Sequence, residues 1–560
     1  MIASLKLFVF VPLGLWGRVL PELNARLFTT RKMTMKNTLD RRVAAMLTTL
    51  CLSACAHNPV QPAAATPGAT PGPQTGAAAN LAATLPPDVL VACQRSAAET
   101  TAGHLDDAAR LTSQCLTSHS LPVAVRALLL QQLAFLDMAR HDDRGALDAQ
   151  LAALDLTPKP SDAQLIVLAH LYQTNHRNEE SLATLTPLDA PHVIDPALRA
   201  SYYLEVGAAL AALGRHQDAL DAFGKGIAAN PYLAEPYRKR AAEREASGDA
   251  AGARADYQQF AGWALDAQID APTRAKLASL GIDPAEQRRH PFGSVNPLHD
   301  MLAGLLEQSR QQLKSATTTA ARAEAYSSIS AFTDNLGEHA EALTAIDKAI
   351  ALAPDNIDYR QSKVTTLLSS NRADDALKEA APLRRQAHAE AAAATAPFTI
   401  YQKYGEVSGT AAMAYIQQGR WSEAIDALTD RAKGADADDR DYMATMYLYV
   451  RAKSAGAAPA SPYFDDYIRR TAPTANATYR RGLLLYMQGK LPIDVVYSQV
   501  TSLGNPVQIQ NGLAETWFVA AAYERYVKHD DAAAHAYVGR LNDLQPYGTM
   551  EWTMARRGGA

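Results

Sequence analysis

Between Ala200 and Pro231, apolar and small residues recur at helical spacing along two successive stretches. Tyr203, Val206, Gly207 and Leu210 share one face of the first stretch, and Ala219, Phe223 and Gly226 share one face of the second. Gly214 and Arg215 interrupt the pattern and predict a tight turn. Asn230 and Pro231 end it, because proline lacks an N–H and clashes with the preceding helical turn. The pattern predicts two antiparallel helices. Small Gly207 and Ala219 set how closely they approach, and Tyr203 and Phe223 fill the space around them.

The same order returns at the same offsets 123 residues further on, from Ala323 to Pro354. Tyr326, Ile329 and Ser330 stand on the first helix, Leu336-Gly337-Glu338 at the turn, and Ala342, Ile346 and Ala349 on the second. Looser copies start near Val89 (Gly103-His104, Ala108), at Ala127 (Leu130, Leu133, Ala134, Ala146, Ala153) and at Asp162 (Leu165, Leu168, Ala169, Tyr172, Leu185). Others start at Ala234 (Tyr237, Ala241, Gly248, Ala253, Tyr257), Ile357 (Ala376, with Pro382 expected to bend its second helix), Gly405 (Ala412, Gly419, Ala424) and Ala514 (Trp517, Ala521, Ala533). The stretches 441–470 and 476–503 are ambiguous in register.

This order of large, small and proline positions resembles the tetratricopeptide repeat, whose period is about 34 residues. The resemblance covers most of residues 89–545. It implies an all-α fold, a right-handed superhelix of roughly eight to ten helical hairpins, that is, an α-solenoid. A first block is expected at 87–265 and a second at 298–545, with 546–560 as a C-terminal cap or tail. Between them, 266–297 carries Pro272, Pro284, Pro291 and Pro297 with Gly281 and Gly293, and reads as a hinge or irregular connector. In this family first helices line an inner groove. Members that grip acidic peptide tails present lysine and asparagine there. The matching offsets here hold Leu204 and Ala208, Arg238 and Ala242, Ser327 and Ala331, Gln361 and Thr365, so that clamp is absent.

The first 86 residues read as address and tether. Lys36, Arg41 and Arg42 precede an apolar core, Val43 to Leu52, that is too short to span a bilayer, and then Leu52-Ser53-Ala54-Cys55. This resembles a bacterial lipoprotein signal over 33–55, which implies lipid attachment at Cys55 after cleavage before it. Ala56, rather than aspartate, then implies sorting to the outer membrane with the body facing the periplasm. An ordinary secretory signal with a chance cysteine is the alternative. Residues 1–32 contain a second apolar run, Leu5 to Trp16, and read as an upstream extension that a start at Met33 or Met35 removes; a signal anchor is the other reading. Residues 56–86 are rich in Pro, Ala, Gly and Thr and are expected to form a disordered linker of about 30 Å mean reach.

The chain has 560 residues and a net charge of −4, which argues against a dedicated nucleic-acid surface. Of its four cysteines, Cys93 falls early in one helix and Cys115 late in the next, where antiparallel packing brings them together. In an oxidising compartment the two are expected to pair; two buried free thiols are the alternative. No Cys-x-x-Cys, His-Glu-x-x-His, Gly-x-Ser-x-Gly or Walker loop occurs, so no cofactor, no metal site and no enzymatic activity are expected. What remains is recognition. The C-terminal third is rich in aromatics, and Tyr486, Trp517 and Tyr523 are candidates for a groove or interface, although rings at helical spacing are also core. The anchored relatives imply a scaffold or adaptor for envelope proteins or peptides held in the superhelix groove. The alternative is an accessory to polysaccharide binding or export, with a glycan as partner.

Overall fold

The computed structural model describes residues 104–188, 196–471 and 478–559, with scattered positions between 89 and 99. The expected segments 1–32, 33–55 and 56–86, and with them Cys55, lie outside the described residues. Helices join through turns, and no strand occurs among the described residues. The protein is therefore all-α. The described residues fall into two compact units that part between Pro284 and Ala285. The division lies inside the expected connector, which is itself partly helical.

In the N-terminal unit the helices are α1 (Leu105–Leu116), α2 (Val123–Ala139), α3 (Asp143–Asp155), α4 (Asp162–Thr174), α5 (Asn178–Leu185), α6 (Pro196–Ala212), α7 (His216–Ala229), α8 (Ala234–Ala246), α9 (Ala250–Trp263) and α10 (Ala271–Ser279). They pair as hairpins: α2 with α3, α4 with α5, α6 with α7, and α8 with α9. The α6–α7 pair realises the pattern from which the register was read. A Cβ placed on Gly207 would lie 2.6 Å from the Phe223 ring, so glycine is what admits that ring. At the same repeat position, Ser96 and Ser330 hold the close approach differently. Their hydroxyls donate to the facing carbonyls of Ala108 (3.2 Å) and Ala342 (2.8 Å).

The turn has its own constraint. Gly214, Gly248, Gly337 and Gly419 stand at one repeat offset, and all have left-handed backbones, with φ from 67° to 90°. His141, His176 and Asn371 take that offset in other hairpins with φ of 60°. Left-handed backbone is disfavoured for a residue with a Cβ, and asparagine tolerates it best. The histidines scattered through the turns are thus partly stand-ins for glycine. Others serve as clips: His104 and His339 each direct Nδ1 to a carboxylate five residues back, Glu99 and Asp334, both at 2.8 Å.

First helices touch first helices, α4 with α6 and α6 with α8, while second helices pack chiefly on the neighbouring first helix. A stack in which one layer of helices is closer together than the other curves toward that layer. The first helices therefore form the inner side of the N-terminal unit. At its start, Cys93 and Cys115 are joined by a disulfide, with 5.1 Å between their α-carbons. The bond ties the opening segment to α1.

The C-terminal unit contains α11 (Pro297–Ser315), α12 (Thr319–Asn335), α13 (His339–Leu352), α14 (Ile357–Ser369), α15 (Ala373–Ala393), α16 (Phe398–Lys403), α17 (Gly405–Gln417), α18 (Trp421–Lys433), α19 (Ala437–Lys453), α20 (Pro462–Arg470), α21 (Tyr479–Met487), α22 (Ile493–Thr501), α23 (Pro506–Tyr523), α24 (Asp531–Leu544) and α25 (Met550–Arg556). Helix α15 runs through Pro382 as one element. Helix α23 is buried at every position from Ile509 to Ala522, as expected of a helix surrounded by others. It packs on α19, α21, α24 and α25, and also on α11, the first helix of the same unit. The Gln510 side chain accepts from Leu298 N–H (2.8 Å) and donates to Asn296 Oδ1 (3.0 Å). This unit therefore closes on itself. Inside it, the buried Arg480 guanidinium forks onto Glu515 (2.9 and 2.6 Å) and donates to Asp439 (2.8 Å), and Asp439 also meets Arg431 at 3.3 Å. The C-terminal residues form α25, which packs on α23 and α24 of the last hairpin, and residues 546–559 also reach α12, α14 and α19.

Two substitutions test the hairpin geometry in opposite directions. Gly207→Ala forces the Phe223 ring to shift and is expected to cost about 1–3 kcal/mol, whereas His176→Gly relieves a left-handed backbone and is expected to add up to about 1 kcal/mol. Urea denaturation of the N-terminal unit reads both. Breaking the Cys93–Cys115 bond by Cys93→Ser is expected to cost about 3 kcal/mol, for a loop of this size. Thermal unfolding with and without reductant checks this: reductant lowers the native midpoint and leaves the variant's unchanged.

Candidate functional site

The inner layer of the N-terminal unit presents side chains at two repeat positions, and one pair fixes their geometry. His170 on α4 places Nδ1 3.3 Å from the Glu205 carboxylate on α6, and Gln173 Nε2 donates to the Glu205 carbonyl at 2.9 Å. His170 follows the small residue Ala169 directly, and Glu205 stands two before Gly207. One hairpin earlier, the same two positions are Phe135 on α2, after Ala134, and Val167 on α4, two before Ala169. One hairpin later they are Ala208 on α6 and Lys239 on α8. The row across the first helices thus runs from apolar, through an imidazole–carboxylate pair, to a cation.

Exposure marks the apolar end. Phe135 is 67% exposed and Val167 39%, among the few large apolar side chains of the described residues left open to solvent. Leu129, Ala134 and Leu136 of α2 and Leu168, Ala169 and Leu171 of α4 are buried. The hydrogen bond to Glu205 raises the His170 pKa above its usual 6.5, and burial and then the Lys239 charge oppose that rise. A raised histidine pKa means that the pair stabilises the fold below the unfolded value, and that this contribution is lost as pH rises through the folded value. With first helices about 10 Å apart, the row from α2 to α8 spans about 30 Å. That suits an extended or helical segment carrying an apolar residue at one end and an acid at the other.

Of the residues singled out from the sequence, Cys55 lies outside the described region, and Cys93 and Cys115 are bonded to each other. Trp517 is 6% exposed and lies stacked between Tyr497 (5.6 Å between centroids) and Tyr537 (5.7 Å). Tyr486 is buried too. Its ring sits 4.6 Å from that of half-buried Tyr523, and its hydroxyl donates to Glu524 at 3.4 Å. Two of the three candidate groove rings are therefore core. Helical spacing cannot separate these roles, because a first helix surrounded on all sides has no outer face. Phe135, Val167, His170 and Lys239 were not singled out. Their signal was available in the repeat offset, carried back from the reference hairpin to its neighbours.

A cleft of about 520 Å³ opens between α7 and α8, lined by Asp221, Lys225, Arg240 and Arg244. Both arginines are already committed to buried Asp256, at 2.7 and 3.0 Å. Among the described residues, no group of three or more His, Cys, Asp or Glu is disposed to hold a metal ion, and no helix is long and apolar enough to cross a membrane.

No protein-family model matches the chain, and no curated protein matches it. Among solved structures it is similar to a chain of the Naa15/Naa10 complex bound to HypK-THB. The identity is 12% and the TM-score 0.28, covering 87% of this chain and 87% of that one. It is also similar to a chain of the APC/C hetero-tetramer Cut9-Hcn1, at 12% identity and a TM-score of 0.27, covering 83% and 88%. A third is a tetratricopeptide repeat protein from Parabacteroides merdae, at 11% identity and a TM-score of 0.20, covering 57% of this chain and 96% of that one. The architecture described above stands on the chain's own helices and their register.

In an NMR titration, His170 is expected to titrate above 6.5. Glu205→Gln moves it down, and Lys239→Ala moves it further up. An unchanged His170 in Glu205→Gln would show that the pair does not form in solution.

Proposed function

We propose that this protein is a lipid-anchored scaffold of the bacterial cell envelope that docks a protein partner on the inner face of its N-terminal unit. The observation that carries the docking face is the row from Phe135 and Val167 to Lys239: among the five large apolar side chains that the described residues of the N-terminal unit leave exposed, Phe135 is the most open, and Val167 stands on the next first helix. Exposed apolar residues beside polar and charged ones are the usual composition of a protein-binding patch. The partner's docking segment carries an apolar anchor for Phe135 and Val167 and an acid for Lys239.

The envelope part of the reading is supported by sequence and by one bond. The signal-like stretch 33–55 ends in Leu-Ser-Ala-Cys, and Cys55 would carry the acyl chains, with the outer membrane as destination. The Cys93–Cys115 disulfide fits an oxidising compartment such as the periplasm. The polysaccharide alternative loses Tyr486 and Trp517 as stacking platforms, since both rings are buried.

Crosslinking and pull-down from intact envelopes tests the whole reading. The native chain is expected to enrich a defined set of envelope proteins. Cys55→Ala, released from the membrane, is expected to lose them. Phe135→Asp, which changes an exposed residue and leaves the helical circular dichroism intact, is expected to reduce recovery at least tenfold. Recovery from Phe135→Asp equal to native would remove the docking face from the proposal, and no enrichment in any form would remove the scaffold.

A further inference from the structure

The inner side of the C-terminal unit is occupied, and its occupant is the end of the same chain. After α24 the backbone reverses through two left-handed residues, Gln545 (φ 44°) and Gly548 (φ 79°), and runs back across the inner faces of the first helices. It continues no hairpin: α25 packs on α23, and Trp552 Nε1 donates to Asn542 Oδ1 (3.1 Å) on α24. Gly548 lies against Asn335 at the end of α12: a Cβ on it would come 3.0 Å from the Asn335 side chain. Glu551 is hydrogen-bonded by the Tyr442 hydroxyl of α19. Arg557 donates to the carbonyls of Leu368 (2.9 Å) and Ser369 (2.7 Å) at the C-terminal end of α14. The Gly559 carbonyl accepts from the Tyr449 hydroxyl (2.5 Å) and from Lys453 Nζ (3.0 Å).

These are the contacts of a bound peptide. Met550 and Met554, four apart, bury one side of a short helix in a groove, which is the helix-in-groove mode of recognition. The last glycines are held by their main-chain carbonyls. The tail's two inward charges have neutral hydrogen-bond partners: Glu551 faces a phenol and Arg557 faces carbonyls. Arg480, the cation nearest in effect to Glu551, is already forked onto Glu515. A charge taken from water to a neutral partner is only partly compensated. Burial accordingly raises the Glu551 pKa and lowers that of Arg557. The tail fits the groove while holding two groups that favour its release into water.

We propose that the inner face of the C-terminal unit is a peptide-binding groove, that residues 546–559 are its internal ligand, and that the groove becomes available to a partner by release of this segment alone. The partner takes the tail's chemistry: a short helix with two apolar anchors four residues apart, an acid beside the first, and an arginine six residues after the acid. This concerns a different face from the one proposed for the N-terminal unit, and neither readout below depends on that docking.

Hydrogen exchange on the intact chain gives the first test. Amides of 550–556 are expected to exchange at least a hundredfold faster than those of 509–522, through an opening that does not expose α23. Exchange of both segments in one cooperative event would overturn the proposal, because the tail would then belong to the core. The second test removes residues 547–560. The shortened chain is expected to stay folded and to take up a synthetic 547–560 peptide with 1:1 stoichiometry, while the intact chain takes up at least tenfold less. A shortened chain that is folded but does not bind the peptide, or one that does not fold, would overturn it.

Discussion

A hairpin of two helices has more apolar surface than its two members can cover for each other. Everything else in this chain follows from how that surplus is covered. Within a hairpin the helices must come close, and a small residue sets the distance: Gly207 under the Phe223 ring, or Ser96 and Ser330 hydrogen-bonded to the facing backbone. Close approach leaves the outer flanks of both helices apolar. Those flanks are buried only by the next hairpin, so the unit propagates until something ends it. Because the first helices sit nearer one another than the second helices do, propagation also means curvature, and curvature creates an inner face.

The two units resolve that inner face differently. In the N-terminal unit it remains open, and the row from Phe135 to Lys239 is what the curve leaves uncovered. In the C-terminal unit the last hairpin reaches the first helix through Gln510, Leu298 and Asn296, and the chain end fills the interior. Closing a stack in this way gives α23 neighbours on every side. Its sequence answers with fourteen buried positions that include Gln510, Asn511, Glu515 and Thr516 among apolar ones. A buried polar group has to be partnered, and Glu515 is partnered by Arg480.

Much of this was readable in the sequence, because repetition multiplies a weak signal. One hairpin at 200–231 would have been two amphipathic stretches and a glycine. Its recurrence at 323–354 marked small, large and turn positions that then located α2 to α9, α12 to α15, and α17 and α18, but not the short α16. The same logic explains what was missed. The left-handed turn offset is glycine in some hairpins and histidine or asparagine in others, so the backbone position that His141 and His176 share with Gly214 shows only in the structure. Trp517 and Tyr486 kept the spacing of a groove-facing series, but their helices have neighbours on the side that a regular stack leaves open. The inward turn of 546–559 rests on contacts between residues 100 or more positions apart, such as Tyr442 with Glu551 and Tyr449 with Gly559, which no local pattern encodes.

The buried ions of the C-terminal unit deserve a separate reason for being there. A cluster of Arg480, Glu515, Asp439 and Arg431 stabilises less than an apolar core of the same volume would, since desolvation offsets most of the attraction. Burial even raises the Glu515 pKa to about 7. What such a cluster supplies is register. Leucine and alanine surfaces on neighbouring hairpins slide past one another with little penalty, and a stack that must meet its own first helix tolerates little sliding. Arg480 on α21 has to find Glu515 on α23 and Asp439 on α19 together, and any shift of one hairpin by a helical turn strands at least one charge. In the N-terminal unit the buried ion group, Asp256 with Arg240 and Arg244, stays within the one hairpin α8–α9. The Arg480 cluster lies in the unit that closes, among the helices that bring the closing hairpin into place.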